Sequence, residues 1–282
     1  MMNYFKRELL ISRSIKLGGQ VMSVKIGYAG DRKIAVEILS FILEQGIFPS
    51  VLIVADNESS SHSHELIYLC EDIEPNDILM GSQIKNPAFV EKIKGLNLDY
   101  LICIHFPYII PETLLNSVKI GVLNLHPAYL PYNRGWHTPT WAIADDTPYG
   151  ATLHFMDKSL DIGDIVHQKE LKISPSDTAD SLYQKAIELE IQVFKEAWPV
   201  IISKSIVPKS QKNMRGTCHV KQDIKSIQRM NLDDHVQTGQ LLKILRALTT
   251  NNVKESAYFE QDGKMYRVQV RITEEHQEQM KT

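Results

Sequence analysis

Cysteine is scarce in this chain. Its 282 residues hold three, Cys70, Cys103 and Cys218, far apart and odd in number. That excludes a disulfide framework and a paired-cysteine zinc site, and it points to a reducing, cytoplasmic setting. Cys103 sits in an apolar run and is expected as a small core residue. Long apolar stretches are also missing. None approaches the ~20 residues that a membrane span needs. Near the start, Leu9-Leu10-Ile11 is too short for a signal-peptide core. Nor does one sign of charge dominate. The formal net charge of −3 argues against a chain built mainly to grip nucleic acid. There is no Walker loop, dinucleotide fingerprint, metal-ligand cluster or internal repeat.

What is present is ordinary for a soluble globular protein, with 43% hydrophobic and 23% charged residues. The length suggests about two domains. Residues 1–21 carry Lys6, Arg7, Arg13 and Lys16 against one acid, Glu8, and read as an N-terminal extension. The alternative is a membrane-surface or partner helix. Residues 22–208 follow as one body. Val24–Tyr28, Ser50–Val54 and Leu98–Ile104 read as buried strands. Helices are expected over Ile34–Gln45, His62–Cys70 and Pro87–Lys94. That alternation argues for an α/β fold with a mostly parallel sheet covered by helices on both faces. Further on come a helix at Thr138–Ala144, strands at Gly150–Phe155 and Ile165–Leu171, and a long helix capped by Ser176-Asp177-Thr178. The apolar stripe of that helix is Leu182, Ala186, Leu189, Val193, Ala197 and Val200. Residues 209–282 change character, with 13 Lys/Arg against 9 Asp/Glu. They read as a small α+β appendage: a helix at Gly239–Leu248, then strands flanking the Asp262-Gly263 turn of a hairpin. Residues from Glu274 onward are polar and expected to fray.

The chemistry gathers at Asn124-Leu125-His126-Pro127, which ends an apolar strand begun at Gly121-Val122-Leu123. Two residues apart on extended backbone, Asn124 and His126 share a face. Pro127 stops the strand, because proline lacks the N–H that the ladder needs. The pair therefore lies at a strand's carboxyl end, where open α/β sheets bind ligands. Asp161, in Leu160-Asp161-Ile162-Gly163-Asp164-Ile165, is the acid that could hold the histidine. Amide donor, base and orienting acid are the parts needed to move an acyl-type group onto an amine. No serine or cysteine nucleophile stands nearby, which favours direct transfer. His105–Pro111, with Phe106, Tyr108 and Ile109, is a stiff apolar loop. Either it receives a flat ring or it simply packs on the sheet. Ala29-Gly30-Asp31-Arg32 is a strand-to-helix turn, a place where anions bind, and Arg32 either meets a phosphate or completes a plain turn. His154 and His167 read as structural.

The run Asn124–Gly135, followed by Leu160-Asp161-Ile162-Gly163-Asp164-Ile165, resembles the folate-dependent formyltransferase family over roughly residues 22–202. The continuation Tyr132-Asn133-Arg134-Gly135 looks like its nucleotide-sugar N-formyltransferase branch. The resemblance implies a Rossmann-like domain, catalysis by Asn124, His126 and Asp161, and 10-formyltetrahydrofolate as donor. It places the pterin against Phe106, Tyr108 and Ile109 on one loop and Met156 and Asp157 on the other. It also implies a nucleotide-diphosphate amino sugar as acceptor, of the dTDP-linked aminodideoxyhexose kind used in surface polysaccharide. Arg134 would then pair with the diphosphate through two N–H groups. Trp136 and His137 would flank sugar or base, and Arg32 would serve the acceptor side. A homodimer is expected through the hairpin aromatics Tyr258, Phe259 and Tyr266. The alternatives are formylation of initiator methionyl-tRNA, hydrolysis of the folate donor, and a catalytically idle binding module.

Overall fold

The computed structural model describes residues 24–58 and 60–275, preceded by a two-residue strand pair, Lys16–Leu17 with Gln20–Val21. The other expectations for residues 1–21, and those for residues 276–282, lie outside the described residues. The chain falls into two compact units that interleave in sequence. The first comprises Met1–His126, Thr152–Gln168 and Glu190–Lys212, and the second Pro127–Ala151, Lys169–Leu189 and Asn213–Thr282.

In chain order the strands and helices are β1 (Ile26–Gly30), α1 (Arg32–Glu44), β2 (Leu52–Val54), α2 (Ser63–Leu69), β3 (Ile78–Met80), α3 (Pro87–Leu96), β4 (Tyr100–Ile104), α4 (Glu112–Leu115) and β5 (Gly121–His126). Then follow β6 (Arg134–Gly135), α5 (Thr138–Ala144), β7 (Tyr149–Phe155), β8 (Ile165–Leu171) and α6 (Ala179–Ile202). The last are β9 (Cys218–His219), α7 (Lys225–Gln228), α8 (Thr238–Ala247), β10 (Ala257–Gln261) and β11 (Lys264–Val268).

Seven strands form one sheet in the order β8-β7-β5-β4-β1-β2-β3. The pairings among β1 to β5 are parallel, and β7 joins β5 antiparallel. The sheet is thus the mostly parallel α/β sheet expected, and its order reverses between β1 and β4. At such a switch point the carboxyl ends of the strands leave a crevice.

The alternation of side chains explains the two layers. Ala29, Ile53, Leu101, Cys103 and Val122 face one way and form a core with Phe89 and Ile93 of α3 and Leu114 of α4. Tyr28 points the other way, and its hydroxyl donates to the Ala35 carbonyl of α1 at 2.6 Å. On that side Phe41 of α1 meets Phe194 and Trp198 of α6 edge-on, with centroids 6.4 and 6.0 Å apart. Helix α3 has its signals in sequence. The Asn86 side chain caps it by accepting from Ala88 N–H, Pro87 takes the first position, and Asn97 ends it with a left-handed φ of 54°.

Some boundaries moved for local reasons. β1 and β4 each begin two residues later than the apolar pattern suggests. The Asp99 carboxylate accepts the Lys25 N–H at 2.8 Å and the Lys204 ammonium at 2.7 Å, so the backbone there is held by a side chain. β3 went unread because its three residues are only partly buried and carry no alternation. The α6 stripe also differs from expectation. Val200 is exposed, while Glu190, Phe194, Trp198 and Ile201 are buried.

Glu190 is fully buried and charged by type, so its partner matters. His105 stands at the end of β4 with φ 48°, and its Nε2 lies 3.0 Å from both Glu190 oxygens. Burial opposes charging of the imidazole, but the Glu190 carboxylate outweighs it. Asp31 adds to the effect, Arg32 opposes it, and the His105 pKa is raised. A pKa raised in the folded state stabilises fully below the unfolded value of ~6.5, and that contribution is lost as pH climbs through the folded value. The stability gap between wild type and Glu190→Gln should therefore be largest near pH ~6 and shrink above it. Urea melts at several pH values would check this, and a constant gap would show that the ion pair is not the stabiliser.

Candidate active site

Strand β5 carries Asn124 and His126 on the face that holds the α3 and α4 core. Its register sets Asn124 beside Cys103 of β4 and opposite His154 of β7, and His126 opposite Thr152. His154 is thus a site residue that sequence reasoning took as structural. A histidine on a β-strand gives no signal by itself. Only the β5–β7 register places it beside Asn124.

The geometry is specific. His154 Nδ1 lies 2.7 Å from the Phe155 carbonyl, so the proton belongs on Nδ1 and Nε2 is left as an acceptor. Asn124 Nδ2 stands 3.2 Å from that Nε2 and donates to it. The amide nitrogen is therefore turned toward His154. The two imidazoles meet edge-on with centroids 6.2 Å apart. Between them comes the Asp161 carboxylate, with Oδ2 at 3.5 Å from His126 Nε2 and Oδ1 at 3.6 Å from His154 Nε2. The His126 contact is longer than a hydrogen bond, as is common before a ligand tightens a site, while the unprotonated Nε2 of His154 faces the carboxylate without donating to it. His126, His154 and the Asp161 side chain are nearly removed from solvent, where a charge contact is screened less.

Asp161 reaches this position because its loop is folded tightly. Its own φ is 52°, a left-handed conformation that aspartate tolerates better than bulkier residues. Buried Gln211 donates from Nε2 to the carbonyls of Asp161 and Gly163, at 3.1 and 2.6 Å. Lys209 and Ile165 exchange both backbone hydrogen bonds, at 2.8 and 2.7 Å, which brings Gln211 alongside. Gly163 presses on the Phe155 carbonyl so closely that a Cβ has no room.

The structure places the other expected residues of the first unit as follows. Phe106, Tyr108 and Met156 pack on the same core as Val122, two residues before Asn124. Ile109 is 81% exposed at the tip of its loop. Met156 N–H donates to the Val122 carbonyl at 2.7 Å. Met156 and Asp157 help line a cavity of about 420 Å³ beside Gly121 and Leu115. Arg32 opens α1 with φ 68°, its side chain half-exposed and 3.4 Å from the buried Asp31 carboxylate. The Asp31 carboxylate also accepts from the backbone of Ser61 and His62, at 3.0 and 3.4 Å.

Arg134, Trp136 and His137 belong to the second unit. Arg134 N–H donates to the Thr217 carbonyl, and Trp136 N–H to that of His219, as β6 pairs with β9. The Trp136 indole is half-exposed, with the Lys221 ammonium 5.0 Å from its ring centroid. His137 precedes α5 with φ 57° and sits 3.6 Å from Glu255. Cys218 and His219 are the strand partners of Arg134 and Gly135. Among the described residues no helix is long and apolar enough to cross a membrane.

The close approach at Gly163 gives a direct prediction. Gly163→Ala must push the Asp161 loop off β7, and overpacking of this kind costs ~1–3 kcal/mol. Urea denaturation should show the loss, and the ring protons of His126 and His154 should shift together by NMR. An unshifted His126 would mean that Asp161 holds its place without the tight loop.

Comparison with known proteins gives the family. The profile described as "Formyl transferase" matches residues 54–198, just over half the chain. That described as "N-formyltransferase dimerization C-terminal domain" matches residues 223–274. The dTDP-4-amino-4,6-dideoxyglucose formyltransferase of Mycobacterium tuberculosis is 30% identical over 172 residues, spanning 61% of this chain and 72% of that one. The methionyl-tRNA formyltransferase of Lachnospira eligens is 26% identical over 252 residues, 87% of this chain and 78% of that one. Among solved structures, a 4-N formyltransferase from Francisella tularensis has a TM-score of 0.75 at 25% identity, covering 89% of this chain and 98% of that one. The chain belongs to the formyl transferase family, on its sugar N-formyltransferase branch.

Proposed function

We propose that this chain transfers the formyl group of 10-formyltetrahydrofolate to the amine of a nucleotide-linked aminodeoxy sugar, a dTDP-aminodideoxyhexose destined for surface polysaccharide. The observation that carries the reading is the Asp161 carboxylate set between two imidazoles, with the Asn124 amide turned toward one of them. Asn124 keeps one N–H for His154 and offers the other to the formyl oxygen, where negative charge grows in the tetrahedral intermediate. His126 hydrogen-bonds to the same centre and passes protons. Asp161 orients His126 and draws a proton from the incoming ammonium, directly or through water. The amine nitrogen bonds to the formyl carbon, the bond from that carbon to N10 of the folate breaks, and N10 leaves with a proton.

The donor's pterin fits the apolar wall of Phe106, Tyr108 and Met156, with Ile109 and Asp157 at its margins. On the acceptor side, Arg134 takes the diphosphate, Trp136 and His137 flank sugar or base, and Arg32 offers a further cation. Residues 22–208 form the catalytic body. Residues 209–282 are an appended piece whose first residues serve the Asp161 loop. Two copies pair through the C-terminal piece, where Leu242, Met265 and Tyr266 are exposed and Phe259 stacks on Tyr266 at 5.2 Å.

The likeness to methionyl-tRNA formyltransferases supports a second acceptor. Against it stand the modest basic surplus after Pro208, since phosphate contacts dominate nucleic-acid affinity, and the dimerization profile over residues 223–274.

The test is an endpoint assay by mass spectrometry, with 10-formyltetrahydrofolate and a panel of dTDP-, UDP- and GDP-linked amino sugars. One sugar should gain a formyl mass. Asn124→Ala should lower turnover by ~10²–10³, as removal of an oxyanion donor does. Tetrahydrofolate accumulating with no formylated sugar would establish hydrolysis instead. Formylation of charged initiator tRNA, with none of the sugars modified, would establish the second acceptor.

A further inference from the structure

The loops leaving β2, β3 and β4 are tied together by one carboxylate. Asp56, just past β2, accepts three hydrogen bonds. Two come from Ser82, from its N–H at 2.9 Å and its hydroxyl at 2.5 Å. The third comes from the Tyr108 hydroxyl at 2.5 Å. Burial raises the carboxyl's pKa, the Ser82 and Tyr108 bonds lower it, and the net shift is downward, so Asp56 is an anion at neutral pH.

The tie spans a distance that the sheet order makes clear. β4 and β2 are not neighbours, because β1 lies between them. At ~4.8 Å per strand, Tyr108 must reach roughly 10 Å sideways, past the carboxyl end of β1, to meet Asp56. Its ring lies on Gly81, just past β3, so closely that a Cβ at Gly81 would collide with it and would stand 2.9 Å from Phe106. The rings of Phe106 and Tyr108 are 5.3 Å apart and tilted by 48°. Loop His105–Pro111 is thus fixed at its start by Glu190 at His105 and at its middle by Asp56 at Tyr108. Ile109 stands exposed at its tip, and Pro107 is exposed as well.

We infer that Asp56, braced by Ser82, is a positioning residue for the donor: it latches Tyr108 and so holds the loop in the shape that receives the folate ring. This rests on the donor reading above. Because the Tyr108 hydroxyl is engaged by Asp56, the loop presents the pterin with backbone groups and apolar surface. Asp56 itself is exposed, so the latch fixes one loop and contributes little to the global core.

The test is steady-state kinetics of Tyr108→Phe, Asp56→Ala and Ser82→Ala, with calorimetric titration of tetrahydrofolate into each. Tyr108→Phe keeps the ring and removes only the bond. A hydrogen bond to a charged group, lost, should raise the donor KM and the tetrahydrofolate Kd about tenfold. The acceptor KM should stay put and the melting temperature should barely move. Combining Asp56→Ala with Tyr108→Phe should be no worse than Asp56→Ala alone, since Asp56→Ala already breaks the bond that Tyr108→Phe removes. If wild type binds tetrahydrofolate and all three variants bind it equally well, the latch is overturned while the donor reading stands. A fall in kcat with the donor KM unchanged would also overturn it. If wild type binds no tetrahydrofolate, the donor reading fails and takes the latch with it.

Discussion

The placement of the Asp161 carboxylate is the constraint on which the rest of the site depends. A carboxylate nearly removed from water is costly unless partners surround it. Here His126 Nε2 stands at 3.5 Å, with the His154 imidazole beside it at 3.6 Å. Those imidazoles come from two strands, and the antiparallel register of β5 and β7 sets them side by side. Around the carboxylate the backbone is shaped to deliver it. Asp161 takes a left-handed φ, Gly163 leaves room against Phe155, and Gln211 holds the carbonyls of Asp161 and Gly163. Each of these devices is local, yet each serves the same few ångströms of carboxylate position.

A second group of buried or charged groups works at the carboxyl edge of the same sheet. Asp31 gathers the Ser61 and His62 amides, Asp56 gathers Ser82 and Tyr108, and Glu190 meets His105. Asp31 and Asp56 tie together loops that emerge from different strands, and Glu190 ties the loop after β4 to helix α6. A parallel sheet leaves its connecting loops free at that edge, and a ligand crevice there needs them fixed. Side-chain carboxylates supply that fixing at low entropic cost, because a single acceptor can bind several donors at once.

Much of this was legible in the sequence, for reasons that can be named. Buried parallel strands are continuous apolar runs, so β1, β2 and β4 stood out, and α3 carried both its caps. Asn124, His126 and Asp161 could be singled out because they sit in two short motifs whose order and spacing resemble those of the formyltransferase family. What was not legible depends on register and on distant chain. His154 looks like any strand histidine until it is paired opposite Asn124. Gln211 lies 50 residues from Asp161, and no periodicity links them. Asp56 and Ser82 are exposed polar residues in loops, and such residues give no signal without the strand order. The α6 stripe misled for a related reason. Buried Glu190 is polar, so a search for apolar residues alone passed over it.

The two units divide the expected residues in a way that bears on how acceptors change within the family. Asn124, His126, His154 and Asp161, with the loop of Phe106, Tyr108 and Ile109, all lie in the first unit. Arg134, Trp136 and His137 lie in the second, on strands and turns bound to the segment around Thr217–Lys221. On the proposed reading, the first unit supplies what every formyl transfer needs: an oxyanion donor, a base, an acid and a seat for the folate. The second supplies what distinguishes one amine from another. Specificity is a difference of affinities, and it can be altered without disturbing groups that act on the common transition state. A chain organised this way can keep its Asp161 geometry fixed while its acceptor changes.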